Sequence, residues 1–160
     1  MQERSRTYSW QNTAPLAEAT KALDGLTLLS KVASGELPAP SIAATMGFRL
    51  AEVAEGRAVF EGAWQEFLTN PAGTVHGGWY GTILDSAMGC AVHTTLPAGT
   101  GYTTLEYKVN ITRGVGPDTG TLRAEGTVVH RGRRTATAEA TLVDANGKVF
   151  AHATTTCIIL

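Results

Sequence analysis

One aspartate stands alone in an otherwise apolar and glycine-rich run. From residue 77 to residue 92 the chain reads GGWYGTILDSAMGCAV, and Asp85 is the only charged side chain in it. A helix that is apolar nearly all round belongs in a protein interior, where a carboxylate is costly unless it is paired or put to use. The type and position of Asp85 therefore point to chemistry.

The first turn of this run offers a second reactive feature. His76, Gly77 and Gly78 lie where backbone N–H groups lack partners within the helix and where the helix dipole is positive. Such a turn is suited to a phosphate or to a developing oxyanion. The glycine pair gains weight because an isolated acid follows it in the same helix.

The spacing of these two features has a structural consequence. Gly77 and Asp85 are separated by about 12 Å along a helix axis, at a rise of 1.5 Å per residue. One reacting carbonyl carbon cannot lie within reach of both groups in a single chain. Two antiparallel copies of the helix, related by a two-fold axis, would bring Gly77 of one chain to Asp85 of the other. If both groups serve one reaction, the working unit is at least a dimer.

Small residues surround the acid on one face of the helix. Gly81, Asp85 and Gly89 follow one another at intervals of four and share that face. Because a glycine inside a helix costs about 1 kcal/mol relative to alanine, we expect a partner helix, a ligand or both to approach closely. Of Trp79 and Tyr80, we expect one to pack in the core and the other to face an interface or an acyl pocket.

Helical signals precede the first strands. Residues 1 to about 14 read as a flexible tail, and apolar residues then recur at helical spacing over 16–32. Asp24 is placed to cap a helix over the second half of this stretch, and Gly35 to end it. Ser41 is placed to cap a short helical turn that ends at Gly47. The central helix is expected to begin near Thr74 or Val75.

Alternating patterns predict six strands, two before the central helix and four after it, over 48–53, 57–64, 102–112, 119–130, 134–144 and 148–160. This order indicates an α+β fold, with one antiparallel sheet wrapped around one central helix. We divide the chain into a tail and helical extension over 1–40 and a single domain over 41–160.

Composition narrows the classes of function. A formal net charge of −1 gives no reason to expect a nucleic acid or an anionic membrane as a partner. The start of the chain has no apolar signal-peptide core, and no apolar stretch reaches the ~20 residues of a membrane span, so we expect a cytoplasmic protein. Cys90 and Cys157 read as small buried residues. The histidines have no metal-ligand spacing, and we expect neither a metal nor a cofactor.

With these residues in view, the chain resembles the hotdog-fold acyl-CoA thioesterases, in particular the phenylacetate-pathway (PaaI-like) branch. The resemblance is carried by NPAGTVHGG at 70–78, by Asp85 and by TTLEYKVN at 103–110, and it covers about residues 42–158. It implies a hotdog fold with an N-terminal helical extension. It also implies active sites at the interface of a homodimer, and pairing of dimers into a homotetramer.

The resemblance assigns catalytic roles to five residues. Asp85 would be the general base for water or the nucleophile itself, and the Gly77 N–H would polarise the thioester carbonyl. Asn70 would hold the carbonyl or the attacking water. Thr104 would orient the water, with Thr103 as the competing register, and His76 would shape the loop.

Four residues are expected to bind the acyl-CoA substrate: Gly78, Thr103, Tyr80 and Arg113. For the phosphates of coenzyme A, Lys108 and the basic turn at 131–134 compete with Arg113. The chain departs from the family at Gly114, where a proline is usual, which affects the shape of that loop.

Two other functions stay open. One is a non-catalytic acyl-CoA-binding or sensing protein on the same fold, which would need no base. The other is a hydratase or dehydratase, which would need a histidine opposite Asp85, and the sequence places none there. The acyl group, the choice between nucleophile and base, and dimer against tetramer are also open.

Overall fold

The computed structural model describes residues 2–160 and confirms the α+β architecture. Six strands form one antiparallel sheet in the order β1-β2-β4-β5-β6-β3. Their bounds are β1 Phe48–Ala54, β2 Arg57–Ala63, β3 Tyr102–Ile111, β4 Thr121–Arg131, β5 Thr135–Val143 and β6 Val149–Ile159. All six predicted strands are present, and β3 lies at one edge with β6 as its neighbour.

The central helix, α4 (Gly77–His93), packs across the concave face of this sheet. It approaches β4 so closely at Gly126 that a Cβ atom there would lie 2.3 Å from the Ala87 carbonyl oxygen. The helix begins at Gly77 rather than near Thr74 or Val75, because Val75 pairs with Thr69 in an isolated bridge. A glycine in β4 therefore lets the helix lie directly on the sheet.

The core lies between α4 and the sheet. It is built from α4 side chains and from the inward-facing residues of the strands, many of which are alanine. The largest fully buried members are Trp79, Tyr80, Ile83, Leu84, Met88, Leu122 and Leu142. Alanines such as Ala124 and Ala138 let the sheet curve closely around the helix.

Three short helices precede the sheet: α1 (Ala14–Ala22), α2 (Gly25–Ser34) and α3 (Ser41–Met46). The Asp24 side chain caps α2 by accepting a hydrogen bond from the Thr27 N–H at 2.9 Å, and Gly35 ends it with φ +82°, as the sequence predicts. Ser41 is the first residue of α3 rather than its cap. Helix α2 packs against β1 at the edge of the sheet opposite β3.

The N-terminal segment corrects one expectation. Residues 2–13 form neither helix nor strand, as the sequence indicates. The segment is nevertheless attached to the domain, because the Arg6 guanidinium donates to the carbonyl oxygens of Ala44 and Thr45. The Arg4 guanidinium also pairs with Glu66 at 3.3 Å. A tail read from composition as flexible thus makes directed contacts with α3 and with the 3-10 turn Glu66–Leu68.

Candidate active site

Asp85 lies midway along α4 on the side that faces β3. Its carboxylate is half-buried, and its Oδ1 atom accepts a hydrogen bond from the Thr104 hydroxyl at 2.9 Å. Within residues 2–160 the other carboxylate oxygen, Oδ2, accepts no hydrogen bond from any side chain. Burial raises the pKa of Asp85 above its ordinary value of 3.8, and the Thr104 hydrogen bond opposes that shift. The site thus holds one carboxylate in a fixed orientation with a free oxygen.

A bulge in β3 decides which of its residues face Asp85. The register of β3 against β6 shifts between Thr104 and Glu106, which leaves Leu105 unpaired. Thr104 faces the helix, and Thr103 points to the opposite side of the strand and is exposed. The pairing of Glu106 with Thr156 places it on the outer face as well. Plain alternation would put Glu106 beside Thr104, and the bulge is the reason that it does not.

The glycines flanking Asp85 accommodate two tyrosines of β3. A Cβ atom on Gly81 would lie 3.2 Å from the Tyr107 hydroxyl oxygen, and one on Gly89 would lie 3.0 Å from the Tyr102 hydroxyl oxygen. The close approach inferred from the glycine spacing is therefore real, and within the chain it comes from β3 rather than from another helix. Tyr102 is a residue of the site that the sequence pattern did not single out.

The first turn of α4 leaves one backbone donor free. The Nδ1 atom of His76, the N-cap residue, accepts a hydrogen bond from the Gly78 N–H at 3.0 Å, so that donor is occupied. No acceptor in residues 2–160 takes the Gly77 N–H. Gly78 was expected to contribute to substrate binding, and its N–H is used for the cap instead. Gly77 is therefore the exposed donor at the positive end of the helix.

Asn70 organises the loop in front of this turn. Its side-chain oxygen accepts from the Ala72 N–H at 2.8 Å, and its amide nitrogen donates to the Thr74 hydroxyl at 2.9 Å. The Asn70 backbone N–H donates to the Thr74 carbonyl. The side-chain amide carries a second N–H that makes no hydrogen bond to residues 2–160. Asn70 thus fixes the shape of the loop, and one N–H group of its side-chain amide is left without a partner within residues 2–160.

Tyr80 is a core residue. Trp79 and Tyr80 are each 1% exposed, so the expectation that one of them faces an interface or a pocket is wrong within the chain. The Tyr80 hydroxyl donates to the Arg113 carbonyl oxygen and accepts from the Val115 N–H, both at 2.9 Å. Tyr80 therefore fixes the loop around Gly114, the position at which the chain departs from the resembled family.

Arg113 lies beside an open groove of about 740 Å³ on the surface next to this loop. Thr74 and Phe150 also line the groove, and Lys148, which the sequence reading did not single out, adds a second cation. Neither Arg113 nor Lys148 forms an ion pair within the described chain. These two cations can each contact an anionic group of a ligand, and Asp118 and Asp144 line the same groove, so its charged lining has no formal net charge.

The remaining nucleophiles and histidines do not join Asp85. Burial, followed by the nearby Asp85 carboxylate, raises the pKa of the Cys90 thiol to about 12. Cys157 is buried and neutral, because burial raises its pKa too. Thr104 alone among the described side chains hydrogen-bonds Asp85, so no histidine of residues 2–160 pairs with that acid. Residues 2–160 also hold no cluster of three potential metal ligands.

The structure does not bring every predicted residue together within one chain. Asp85 and Thr104 are in contact, and Asn70, His76 and Gly77 form a second group at the start of α4. The two groups occupy different turns of the same helix. A reaction that uses both would therefore need two protomers, as the spacing predicts.

The chain belongs to the thioesterase superfamily, whose model matches residues 72–151, half of its length. The sheet wrapped around α4 is the hotdog fold of the PaaI-like members of that family. No curated protein matches the chain by sequence.

Several solved structures share this fold. A phenylacetic acid degradation-related protein from Ralstonia eutropha JMP134 is 30% identical, with a TM-score of 0.73 over 81% of this chain and 98% of that one. A thioesterase family protein from Silicibacter pomeroyi is 26% identical, with a TM-score of 0.73 over 82% and 98% of the two chains. The E. coli PaaI protein, at 20% identity and a TM-score of 0.73 over 82% and 93%, shows the fold alone.

None of the helices within residues 2–160 combines the length and the apolar character that a membrane crossing requires.

Proposed function

We propose that this protein is an acyl-CoA thioesterase that hydrolyses its substrate to a free acid and coenzyme A in the cytoplasm. The observation that carries the proposal is the half-buried Asp85 carboxylate, which Thr104 holds through one oxygen while the other oxygen is free. A thioester carbonyl is electrophilic and its thiolate leaves readily. A carboxylate and an oxyanion site can therefore suffice without a serine–histidine pair.

The proposed active site lies between two protomers of a homodimer. Strand β3 pairs only with β6 among the described strands, and its free edge exposes Leu105, Tyr107 and Ile111. An unprotected edge of this length is a template for pairing with a second copy. Such pairing would place the α4 helices side by side and bring Gly77 of one protomer near Asp85 of the partner subunit. Two such dimers would form the homotetramer expected from the family.

The reaction divides between these groups. Asp85 takes a proton from water as the water oxygen bonds to the thioester carbon, and the Gly77 N–H stabilises the oxyanion. Collapse of the tetrahedral intermediate breaks the carbon–sulfur bond, and the thiolate receives the proton. Thr104 holds the carboxylate, and the spare N–H of Asn70 holds the carbonyl or the water. His76 keeps the turn in shape through its bond to Gly78.

Direct attack by Asp85 is the competing route. In that route an Asp85 carboxylate oxygen attacks the thioester carbon, and the carbon–sulfur bond breaks with departure of the thiolate. Water then cleaves the resulting mixed anhydride to the free acid and the Asp85 carboxylate. A single turnover in H₂¹⁸O tests for this route, because only cleavage of the anhydride at the Asp85 carbonyl leaves the label in the enzyme. Label found only in the released acid is the result of the general-base route and also of cleavage at the acyl carbonyl, so only label in Asp85 decides between the routes.

Arg113 and Lys148 would bind the phosphates of coenzyme A. The groove that they border begins at Thr74, in the loop that leads to Gly77. From inside the core, the Tyr80 hydroxyl donates to the Arg113 carbonyl oxygen. The backbone that carries the Arg113 cation is therefore fixed. The exposed Lys108 and the basic turn at 131–134 are the competing positions, and Thr103 is too exposed on the outer side of β3 to face Asp85.

The proposal is tested by measuring free-thiol release from a panel of aryl and aliphatic acyl-CoAs. We expect wild type to hydrolyse at least one of them and Asp85→Asn to lose at least about 100-fold in kcat, or roughly 3 kcal/mol of barrier. Glu55→Gln, a change of an exposed carboxylate in the turn between β1 and β2, is the matched control. Binding of acyl-CoA without hydrolysis by wild type would favour the alternative, a non-catalytic acyl-CoA sensor.

A further inference from the structure

The planar guanidinium group of Arg6, in the N-terminal segment, makes four directed contacts. Its guanidinium donates to the Thr45 carbonyl oxygen at 2.8 Å and to the Ala44 carbonyl oxygen at 2.7 Å. The same group lies 3.6 Å from the centroid of the Phe67 ring and 4.4 Å from that of Tyr8. A rigid fork that also stacks on aromatic rings is a property of arginine that lysine lacks.

The two carbonyl oxygens belong to the last turn of α3, where helix carbonyls have no partner of their own. The next carbonyl oxygen, that of Met46, accepts a hydrogen bond from the Trp79 indole at 3.0 Å. Trp79 lies in the first turn of α4, two residues after Gly77. The end of α3 therefore joins the N-terminal segment on one side to the turn that carries the free N–H on the other.

A second route runs from Arg6 to the same turn. Phe67, under the guanidinium, is followed by Leu68, whose carbonyl oxygen accepts from the His76 N–H at 2.8 Å. His76 is the N-cap residue of α4. Phe67 also packs over Gly47, at the end of α3, so the two routes share a contact. Both of them end within residues 76–79.

We propose that Arg6 is a positioning residue for the Gly77 N–H, and that the N-terminal segment is a functional strap rather than a tail. The inference rests on the proposed function, because it assigns Arg6 to alignment of the proposed oxyanion site. Arg6 touches neither Gly77 nor Asp85. It acts by fixing the end of α3 and the turn that contains Phe67. Both of these contact the first turn of α4 and so hold it in place.

The expected effect is on the catalytic rate rather than on global stability. Arg6 is an exposed residue, so its contacts contribute little to the free energy of unfolding. An oxyanion donor acts in the transition state, so its misalignment lowers kcat and leaves KM nearly unchanged. We expect Arg6→Ala to lower kcat about tenfold, within the range of couplings measured for residues that contact no ligand.

The matched control is Arg4→Ala. Arg4 lies in the same segment and contacts the same turn through Glu66, but both partners of that ion pair are about two-thirds exposed. We expect Arg4→Ala to keep kcat within about twofold of wild type. Equal losses of kcat in the two variants would overturn the assignment to Arg6.

Two further measurements separate positioning from a general structural role. We expect Arg6→Lys to recover little of the loss, since an ammonium group cannot span two carbonyls while stacking on Phe67. We also expect guanidinium, well below denaturing concentrations, to restore kcat in Arg6→Ala and not to change it in Arg4→Ala. Full recovery by lysine, or no response to guanidinium, would contradict the specific role of the guanidinium fork.

Hydrogen exchange tests the proposal without relying on activity. We expect the hydrogen-bonded amides of His76, Gly78, Trp79 and residues 44–47 to exchange faster in Arg6→Ala than in wild type or Arg4→Ala, with unchanged exchange in β5. Unchanged exchange at 76–79 overturns the proposal whatever the activity. Faster exchange with an unchanged kcat overturns it as well. If wild type hydrolyses no thioester, the proposed function fails and the exchange data still decide the coupling.

Discussion

The two halves of the proposed site lie on the same helix and are held in different ways. Asp85, in the middle of α4, is fixed by regular structure, with sheet beneath the helix and the Thr104 hydroxyl of β3 beside the carboxylate. Gly77, at the start of α4, is fixed by contacts of its turn with the end of α3, with Leu68 and with the loop that follows β3. A carboxylate can be placed by helical and strand periodicity alone, whereas a free backbone N–H depends on everything that surrounds its turn.

Removal of the Gly77 N–H is the most direct way to disable the Gly77 half of the proposed site while leaving the Asp85 half intact. Gly77→Pro removes the donor at the first helical position, where proline is well tolerated, and His76 already has φ −66° and ψ +143°, as a residue before proline requires. We expect kcat to fall about 100- to 1,000-fold, as for other oxyanion donors. Thermal unfolding should show a midpoint close to that of wild type.

The matched control is Gly77→Ala. It keeps the N–H and adds a Cβ atom at an ordinary contact distance of 3.4 Å from the Ile111 side chain. A similar loss of kcat in both variants would mean that the space at Gly77 matters and its N–H does not.

On the other half, Thr104→Val is expected to alter the pH profile. The Thr104 hydrogen bond favours the ionised form of Asp85, so its loss raises the pKa of a carboxyl that burial already holds above 3.8. Asp85 must be ionised to act, so activity declines as the pH falls through that pKa. In Thr104→Val this decline should shift to higher pH, with about a tenfold loss of kcat.

Thr104→Ser keeps the hydroxyl and is expected to restore the wild-type profile. The measurement is kcat against pH for the two variants and wild type. A decline at the wild-type pH in Thr104→Val would show that the hydroxyl does not influence the ionisation of Asp85.

The smallest of these effects concerns the loop beside Gly77. Tyr80→Phe leaves the buried Val115 N–H without a partner, which costs about 1–3 kcal/mol in the free energy of unfolding. Tyr8→Phe is the control, since Tyr8 is 43% exposed and its hydroxyl makes no hydrogen bond within residues 2–160. Urea unfolding of both variants checks this, and equal stabilities would show that the Tyr80 hydroxyl does not brace the loop.

The same contrast explains how much the sequence could predict. The isolated Asp85 in an apolar helix, the glycines beside it and the six strands were all readable from local patterns. The choice of Thr104 over Thr103 needed the orientation of β3, and the position of Glu106 on the outer face depends on a bulge that strand alternation does not reveal.

Residues around the first turn of α4 were harder to predict. The burial of Tyr80 and the anchoring of Arg6 both depend on contacts between residues more than thirty positions apart. Composition cannot supply such contacts, because the side chains involved are also common in exposed loops. The family resemblance indicated which residues matter and not what holds them in place.

The central claim, a site shared between protomers, is tested by mixing two inactive variants. Gly77→Pro and Asp85→Asn chains, carried on different affinity tags, are co-expressed, and the mixed dimers are isolated by two successive purifications. If the site lies between protomers, each mixed dimer has one site with both groups intact and should show about half of the wild-type activity, far above either parent. Mixed dimers as inactive as the parents would contradict a shared site.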